Sequence, residues 1–495
     1  MPNLFTRSVQ RVIDAAWALR YGKPDTTTRS FSGAQTGRLF SDWVGAVGPM
    51  DVYLRRDLVA LRSNSRRLAM NNDYMKSFLR MVRRNVIGPS GIVLQNRAKD
   101  DNGKLDKEAN DLIEQKWADW GQRGTCTVCG QYSWLQVQWM VATLIARDGE
   151  VIVRKVRGFP NKFGFAVQLF SADHLDETLN TELPGGGDIR MGVERDQWKR
   201  PVALHLKVKA SDRQYARHQR IPISEIEHLY VPEDFEQTRG LPWAHSAIRR
   251  LGMLGGYEEA ALVAARAGAA KMGFFQQREG AGSYTPDETD EKGDFIDKAE
   301  PGSIEILPEG FEFKEFDPSY PNGEMPFFMK SVLRGAAAGL GVSYNGLAND
   351  LEGVNFSSIR AGLQDERDEW MVLQQFIIQG LVLPVFSAWL EQAMLKKAVP
   401  LPFSKIDKLM SPQWFPRRWK WVDPDKDSKT AERDISLGVQ SRTRLAAEQG
   451  RDLREVYEEL AAEEQLAKDL GVTLGASKGS VISEEKEEED AAGDK

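Results

Sequence analysis

"GVSYNGLANDLEGVNFSSIRAGLQDERDEW", Gly341 to Trp370, is the stretch on which the architecture turns. It joins two strongly helical patterns through about a dozen polar, Gly- and Asn-rich residues, and loops of that length inside a compact chain are mostly functional or disordered. Before it, "PFFMKSVLRGAAAGLG" is helical and full of small residues. After it, Ile359, Leu363, Trp370, Leu373, Ile377 and Leu381 keep helical spacing from near Ser357 until Pro384, which is expected to kink the helix.

Upstream, "RGLPWAHSAIRRLGMLGGYEEAALVAARAGAAKMGFF" reads as one helix from Pro242 to Phe274, about 50 Å long at 1.5 Å per residue. Small residues recur along it at Gly252, Gly255, Gly256, Ala264, Ala265, Gly268 and Ala269. Each glycine weakens a helix by about 0.5–1 kcal/mol relative to alanine, so close packing is the expected return, between subunits or within one core. The next stretch, "REGAGSYTPDETDEKGDF", is polar and turn-rich, and "GSIEILPEGFEFKEF" alternates as strands around Pro308-Glu309-Gly310. The order is therefore helix, β insert, returning helix, polar loop, kinked helix.

The first 240 residues read as a mixed α+β region. A basic helical segment carries Leu58, Leu61, Leu68, Met75, Phe78 and Val82 on one face and ends at Gly88-Pro89. Helices follow over Lys107–Trp120 and "WLQVQWMVATLIA", and the Asp148-Gly149 turn leads into the strands "EVIVRKVR", "FGFAVQLF", "PVALHLKV" and "IEHLYV". Beyond Trp419, short charged helices break at Gly438 and Gly450, and the tail "SEEKEEEDAAGDK" is too acidic to bury anything.

Composition is ordinary for a globular chain of 495 residues, 41% hydrophobic and 28% charged. The net charge of −6 is unevenly spread, with 17 Lys and Arg against 7 Asp and Glu in residues 1–100, and 7 acids against 3 bases in the last 20. Such asymmetry suits nucleic acid or an acidic partner, and equally a solvated surface. The N-terminal "LFTRSVQRVIDAAWALRYG" is interrupted by Arg11, Asp14 and Arg20, so it makes no signal-peptide core. Met371–Leu390 is free of charge, but Gln374, Gln375 and Gln379 would be costly in hydrocarbon; a buried helix is expected rather than a membrane span.

Conventional chemistry is sparse. The sequence has no G-x-x-x-x-G-K-[ST], G-x-S-x-G or H-E-x-x-H motif, and its five histidines are not at metal-ligand spacing. Cys126-x-x-Cys129 lacks the second ligand pair zinc needs and reads as two thiols in a surface turn, in a reducing compartment. "DHLDE", Asp173 to Glu177, could seat a nuclease metal but reads more simply as a solvated strand end. No catalytic residue, metal or cofactor is expected. The loop after Gly341 holds Asn345, Asn349, Asp350, Glu352, Asn355, Ser357, Ser358 and Arg360, with mobility from glycines 341, 346 and 353. A loop that grips phosphate should be rich in Lys and Arg; this near-neutral set suits a channel lining past which DNA slides.

"NNDYMKSFLRMVRRNVIGPSGIVLQ", "RGLPWAHSAI", "LGVSYNGLANDLEGVNFSSIRAGLQDERDEW" and "WVDPDKDSKTAERDISLGVQSRT" resemble, in order from about Asn71 to Glu464, the lambda-type portal proteins of tailed bacteriophages. The resemblance implies a portal fold: an N-terminal arm (1–50), a mixed α/β wing (51–240), stem helices (241–274 and 325–341) and a β-containing clip (275–324). It further implies a tunnel loop (342–357), a kinked wing helix and return (358–424), a helical crown (425–475) and a disordered acidic tail (476–495). Stem packing would rest on Gly252, Gly255, Gly256, Gly268, Gly335 and Gly339. The implied assembly is a homo-oligomeric ring, a dodecamer, at one capsid vertex of the virion, built in the host cytoplasm. Double-stranded DNA would pass through it, with the terminase large subunit, major capsid and scaffold proteins, and head-completion or tail connector proteins as partners, and no membrane. Deleting Asn345–Val354 is expected to spare assembly and impair DNA retention. A metal-dependent nuclease or other packaging enzyme, a different head–tail connector, and a membrane-docked channel are the alternatives.

Overall fold

The computed structural model describes residues 48–208, 217–269, 273–277, 311–315, 323–353, 355–419, 424–449, 451 and 453–471. By compactness the chain divides into residues 1–52 and 53–495. The expected arm lies almost wholly outside the described residues, as do the acidic tail and most of the 275–324 insert.

The basic segment forms α1 (Met50–Asn71) and α2 (Asp73–Val82). They part at Asn72, whose side-chain oxygen accepts the Met75 N–H at 2.9 Å and caps α2. Leu58, Met75, Phe78 and Val82 are buried, as their spacing predicts. A π turn (Arg83–Ile87) carries the chain to Gly88, at φ 76, and on to β1 (Val93–Asn96). In α3 (Lys107–Trp120) and α4 (Trp134–Asp148) the tryptophans face inward. The Trp117 ring lies 4.8 Å from Trp120, 5.0 Å from Trp389 and 5.4 Å from Phe386, centroid to centroid. Cys126 belongs to this core rather than to a surface turn: it is fully buried, and burial pushes its thiol up to about 12, while Cys129 is exposed.

Two antiparallel sheets follow. β2 (Glu150–Arg157) is the centre of a three-stranded sheet with β3 (Phe165–Phe170) and β9 (Ile226–Tyr230). Between them β4 (Thr181–Glu182), β5 (Asp188–Arg190), β6 (Val193–Arg195), β7 (Pro201–Val208) and β8 (Arg217–Pro222) make a five-stranded meander with a core of its own around Leu204, Leu206 and Ile221. The α+β class read from the sequence holds. Gly149 (φ 90) starts β2 and lies directly against Gly240. A Cβ on Gly240 would collide with the Gly149 carbonyl and stand 2.5 Å from Tyr230 Cβ. Backbone on both sides cannot yield, so Gly240→Ala is expected to cost about 3 kcal/mol. A urea midpoint equal to that of the parent protein would contradict this.

The long helix expected over Pro242–Phe274 is shorter. Residues 243–247 wind as turns, with the Trp243 N–H donating to the Ala146 carbonyl at 3.0 Å, and α5 spans Ile248–Ala269. Gly273 and Phe274 belong instead to β10 (Gly273–Gln277), paired antiparallel with β11 (Phe311–Glu315). These two strands are the described part of the expected β insert. α6 (Met325–Leu340) then returns along α5, burying Leu333, Ala336 and Ala337.

After α7 (Tyr344–Ala348), α8 (Phe356–Ile377) passes through a π segment, Ile378–Val382, directly into α9 (Leu383–Leu395), with Pro384 in the first turn of α9. Proline there lacks only an N–H that a new helical start leaves free. Gly362–Leu395 is long and apolar enough to cross a membrane by length and composition. Its Ile377, Leu381, Val385, Phe386 and Trp389 are buried against the rest of the chain, and buried Gln374 donates to the Asn85 and Arg417 carbonyls at 2.9 and 3.0 Å. After α10 (Ile406–Leu409), β12 (Pro412–Phe415) pairs with β1. The charged C-terminal helices are α11 (Pro424–Ser436), α12 (Arg442–Glu448) and α13 (Leu453–Leu470).

Candidate functional site

The polar segment between α6 and α8 is half folded. Gly341, at φ 67, ends α6, and its N–H and that of Val342 close the last turn onto Ala337 and Ala338 carbonyls. The Ser343 side chain accepts the Gly346 N–H at 3.2 Å and caps α7. Leu347 is buried, and a Cβ on Gly346 would lie 2.8 Å from Met81 Cε, so this glycine seats α7 on α2 instead of loosening a loop. Asn345 therefore sits on a helical turn, and Asn349, at φ 54, is where the open loop begins. Ser357, Ser358 and Arg360 belong to α8 rather than to the loop, and Arg360 pairs with Asp427 of α11 at 2.5 Å. The described part of the loop proper is 349–353 with Asn355, and there Leu351 is 66% exposed and Gly353 has φ 70.

One carboxylate organises it. Asp350 accepts from Tyr344 Oη at 2.7 Å and from the Glu352 N–H at 2.9 Å, and Lys330 Nζ of α6 lies 3.2 Å from Asp350 and 3.3 Å from Glu352. The Tyr344 hydroxyl, the Glu352 N–H and Lys330 together hold the Asp350 carboxyl at about 2. Lys330 and Tyr344 escape a reading confined to the loop, although an acid six residues after a tyrosine that opens a helical turn is a detectable signal. Of the expected packing glycines, Gly335 and Gly339 close on the start of α5, against Arg250 and Ser246. Gly252, Gly255 and Gly256 face open space, and Gly268 falls in the last turn of α5.

"DHLDE" is not a solvated strand end. Arg62 donates to Asp173 at 3.2 Å, Glu177 at 2.8 Å and Glu150 at 2.9 Å; Arg66 reaches Asp173 at 2.6 Å and Asp148 at 2.9 Å. Arg147 pairs with Asp148 at 2.7 Å, and Arg239 forks onto Glu150. Four arginines thus face the four carboxylates Asp148, Glu150, Asp173 and Glu177. At the centre, Glu150 and Arg239 both have 0% side-chain exposure. Burial pushes the Glu150 carboxyl upward, yet Arg239 and His228 hold it well below the usual carboxylate range. The carboxylates a nuclease would offer to a metal are spent on guanidinium groups, and among the described residues no group of three metal-ligating side chains occurs. The signal in sequence was Arg62 itself, on the same helix face as Leu58 and Leu68.

A family profile described as "Phage portal protein, lambda family" matches residues 36–374. A protein of Halomonas phage phiHAP-1, described as a probable portal protein, is 38% identical over 461 residues, covering 91% of this chain and 89% of that relative. Portal protein B of Escherichia phage lambda is 26% identical over 137 residues, 26% of each chain. Among solved structures, a chain from the neck of an empty gene transfer agent particle aligns over 83% of this chain and 97% of its own at 13% identity and a TM-score of 0.43. With a profile across most of its length and a relative that nearly spans it, the chain belongs to the lambda family of phage portal proteins.

Proposed function

We propose that copies of this chain close into a ring, a dodecamer, at one vertex of the capsid, and that double-stranded DNA passes through it during packaging and ejection. The observation that carries the reading is the α5–α6 pair with its two unlike sets of glycines. Gly335 and Gly339 pack within the chain, whereas Gly252, Gly255 and Gly256 lie on a helix that also exposes Met253, Leu262 and Val263. Glycines open to close approach beside apolar side chains suit a neighbouring subunit. In this ring 51–240 is the wing, 241–274 and 325–341 the stem, and 275–324 the clip. The tunnel loop is 342–357, its open part lying between the end of α7 at Ala348 and the start of α8 at Phe356, and 358–424 and 425–475 are the wing helix with its return and the crown. The clip meets the terminase large subunit, then head-completion and tail connector proteins; capsid and scaffold proteins surround the ring in the host cytoplasm and in the virion. The chain supplies the passage and terminase the ATP hydrolysis.

Native mass spectrometry with negative-stain imaging tests this directly, and closed rings with an axial hole are expected. Compact monomers alone, even with scaffold protein present, would overturn it. Gly255→Leu separates ring from subunit. A Cβ added there meets nothing within 4 Å, so the subunit is expected to keep its fold and its helix to strengthen by about 0.8 kcal/mol, while rings are expected to disappear from the native mass spectrum. Rings that survive would place another face between subunits.

A further inference from the structure

Behind the loop, α2, α7, α8 and the segment after β12 enclose a cavity of about 740 Å³. Arg80, Arg84, Arg367 and Arg417 line it against a single carboxylate, Glu366. Glu366 already accepts the Trp370 indole N–H at 3.2 Å. Among the described residues Arg80, Arg84 and Arg417 form no ion pair with a carboxylate. In the cluster around Glu150 four arginines meet four carboxylates, whereas here Arg80, Arg84 and Arg417 meet none among the described residues.

Two of the four cationic groups, those of Arg367 and Arg417, are also held in place. Arg417 Nη1 donates at 2.6 Å to both the Arg84 carbonyl and Asn85 Oδ1, and Asn85 Oδ1 also accepts from the Trp419 indole at 3.3 Å. The Arg417 and Arg367 guanidinium groups lie 5.8 and 5.7 Å from the Trp419 ring centroid, which fixes their planes. Gly88 leaves room for the Arg417 stem, since a Cβ there would stand 2.8 Å from Arg417 Cβ. Burial, then Arg84 and Arg367, lower the Arg417 pKa, as crowding among cations requires. Planar guanidinium groups lining one space suit the oxygens of a phosphate group, which they can bind through two parallel N–H bonds as lysine cannot.

We propose that this cavity is an oxyanion site that takes a phosphate group, either of a nucleic-acid backbone or of a small phosphate compound. The assignment concerns one chain and stands apart from ring formation. Asn345 and Asn349 line the same cavity, so a bound phosphate would sit against the base of the loop. The near-neutral loop and the cationic cavity behind it then divide the work, one letting charge pass and the other holding it.

The test uses the full chain, titrated by calorimetry with inorganic pyrophosphate and, separately, with a short DNA duplex. Arg84→Gln is the variant, because Arg84 is exposed and its side chain can be changed without disturbing packing; unaltered thermal unfolding confirms that. Binding of pyrophosphate that weakens about ten-fold in Arg84→Gln supports the site, since a hydrogen bond to a charged group is worth at least that factor. Duplex binding whose salt dependence falls by about one phosphate contact in the variant identifies nucleic acid as the source; pyrophosphate binding without duplex binding identifies a small phosphate compound. No binding by the parent protein, or equal binding by the variant, overturns the proposal.

Discussion

Glu150→Ala is expected to lower stability by about 4 kcal/mol, the cost of leaving a buried charge without its partner. Removing this carboxylate strands Arg239, at 0% exposure, and takes from Arg62, at 3%, one of its three carboxylate partners. It also takes away the acceptor for His228 Nε2 at 2.9 Å and for the Gly240 N–H at 3.1 Å. The site is buried where α1, β2, β9 and the Asp173–Glu177 turn converge. The contrast is Lys107→Met, which breaks an ion pair to Glu458 that is half exposed on both sides; solvent screens such pairs and they contribute little. Urea unfolding followed by tryptophan fluorescence reads both, and comparable losses in the two variants would mean that the buried network is not what joins these elements. The same network sets the response to acid. Glu150, Asp148 and Asp173 all titrate below their ordinary values despite burial, held down by arginine. At low pH the unfolded chain therefore binds more protons than the folded one. Their contribution is complete above the unfolded values near pH 4, and it fades as pH falls through the lower folded values.

The network also shows where local reading of a sequence stops. Glu150 opens "EVIVRKVR", an alternating apolar run that marks β2 clearly, but nothing nearby identifies its partner Arg239, 89 residues on. The pairing of β1 with β12 is hidden for the same reason. Elements fixed by their own pattern were legible: α3 at Lys107–Trp120, β7 at Pro201–Val208, and the turn at Asp148-Gly149, where the glycine adopts φ 90. Boundaries set by distant contacts were not. Residues 243–247 carry helix-forming residues, yet the Gly149–Gly240 contact and the Trp243–Ala146 hydrogen bond hold them in turns. Asn345 looks like loop by composition, yet Ser343 caps a turn there and Leu347 fixes it to the core. In the portal motif that carried the resemblance, the polar residues were read from composition, and which of them are free to move depended on α2.

That distinction changes the loop experiment. Deleting Asn345–Val354 would remove buried Leu347 along with the open segment, and losing a buried leucine costs about 2–5 kcal/mol. A failed assembly would then say nothing about the channel. Replacing residues 349–355 by a short glycine link between Ala348 and Phe356 leaves α7 on α2. It gives up the contacts of Asp350 and Glu352 with Lys330 and Tyr344, at the surface of α6 and α7, and exposed pairs of this kind contribute little to stability. The variant subunit should therefore fold and form rings in the parent's yield. If the open loops collar the duplex, capsids built on these rings should package DNA and then lose it, so that most filled particles become empty after terminase is removed. Nuclease protection of the packaged DNA over time measures this loss. Equal protection in parent and variant would remove the loop from DNA retention and turn attention to the arginine-lined cavity behind it.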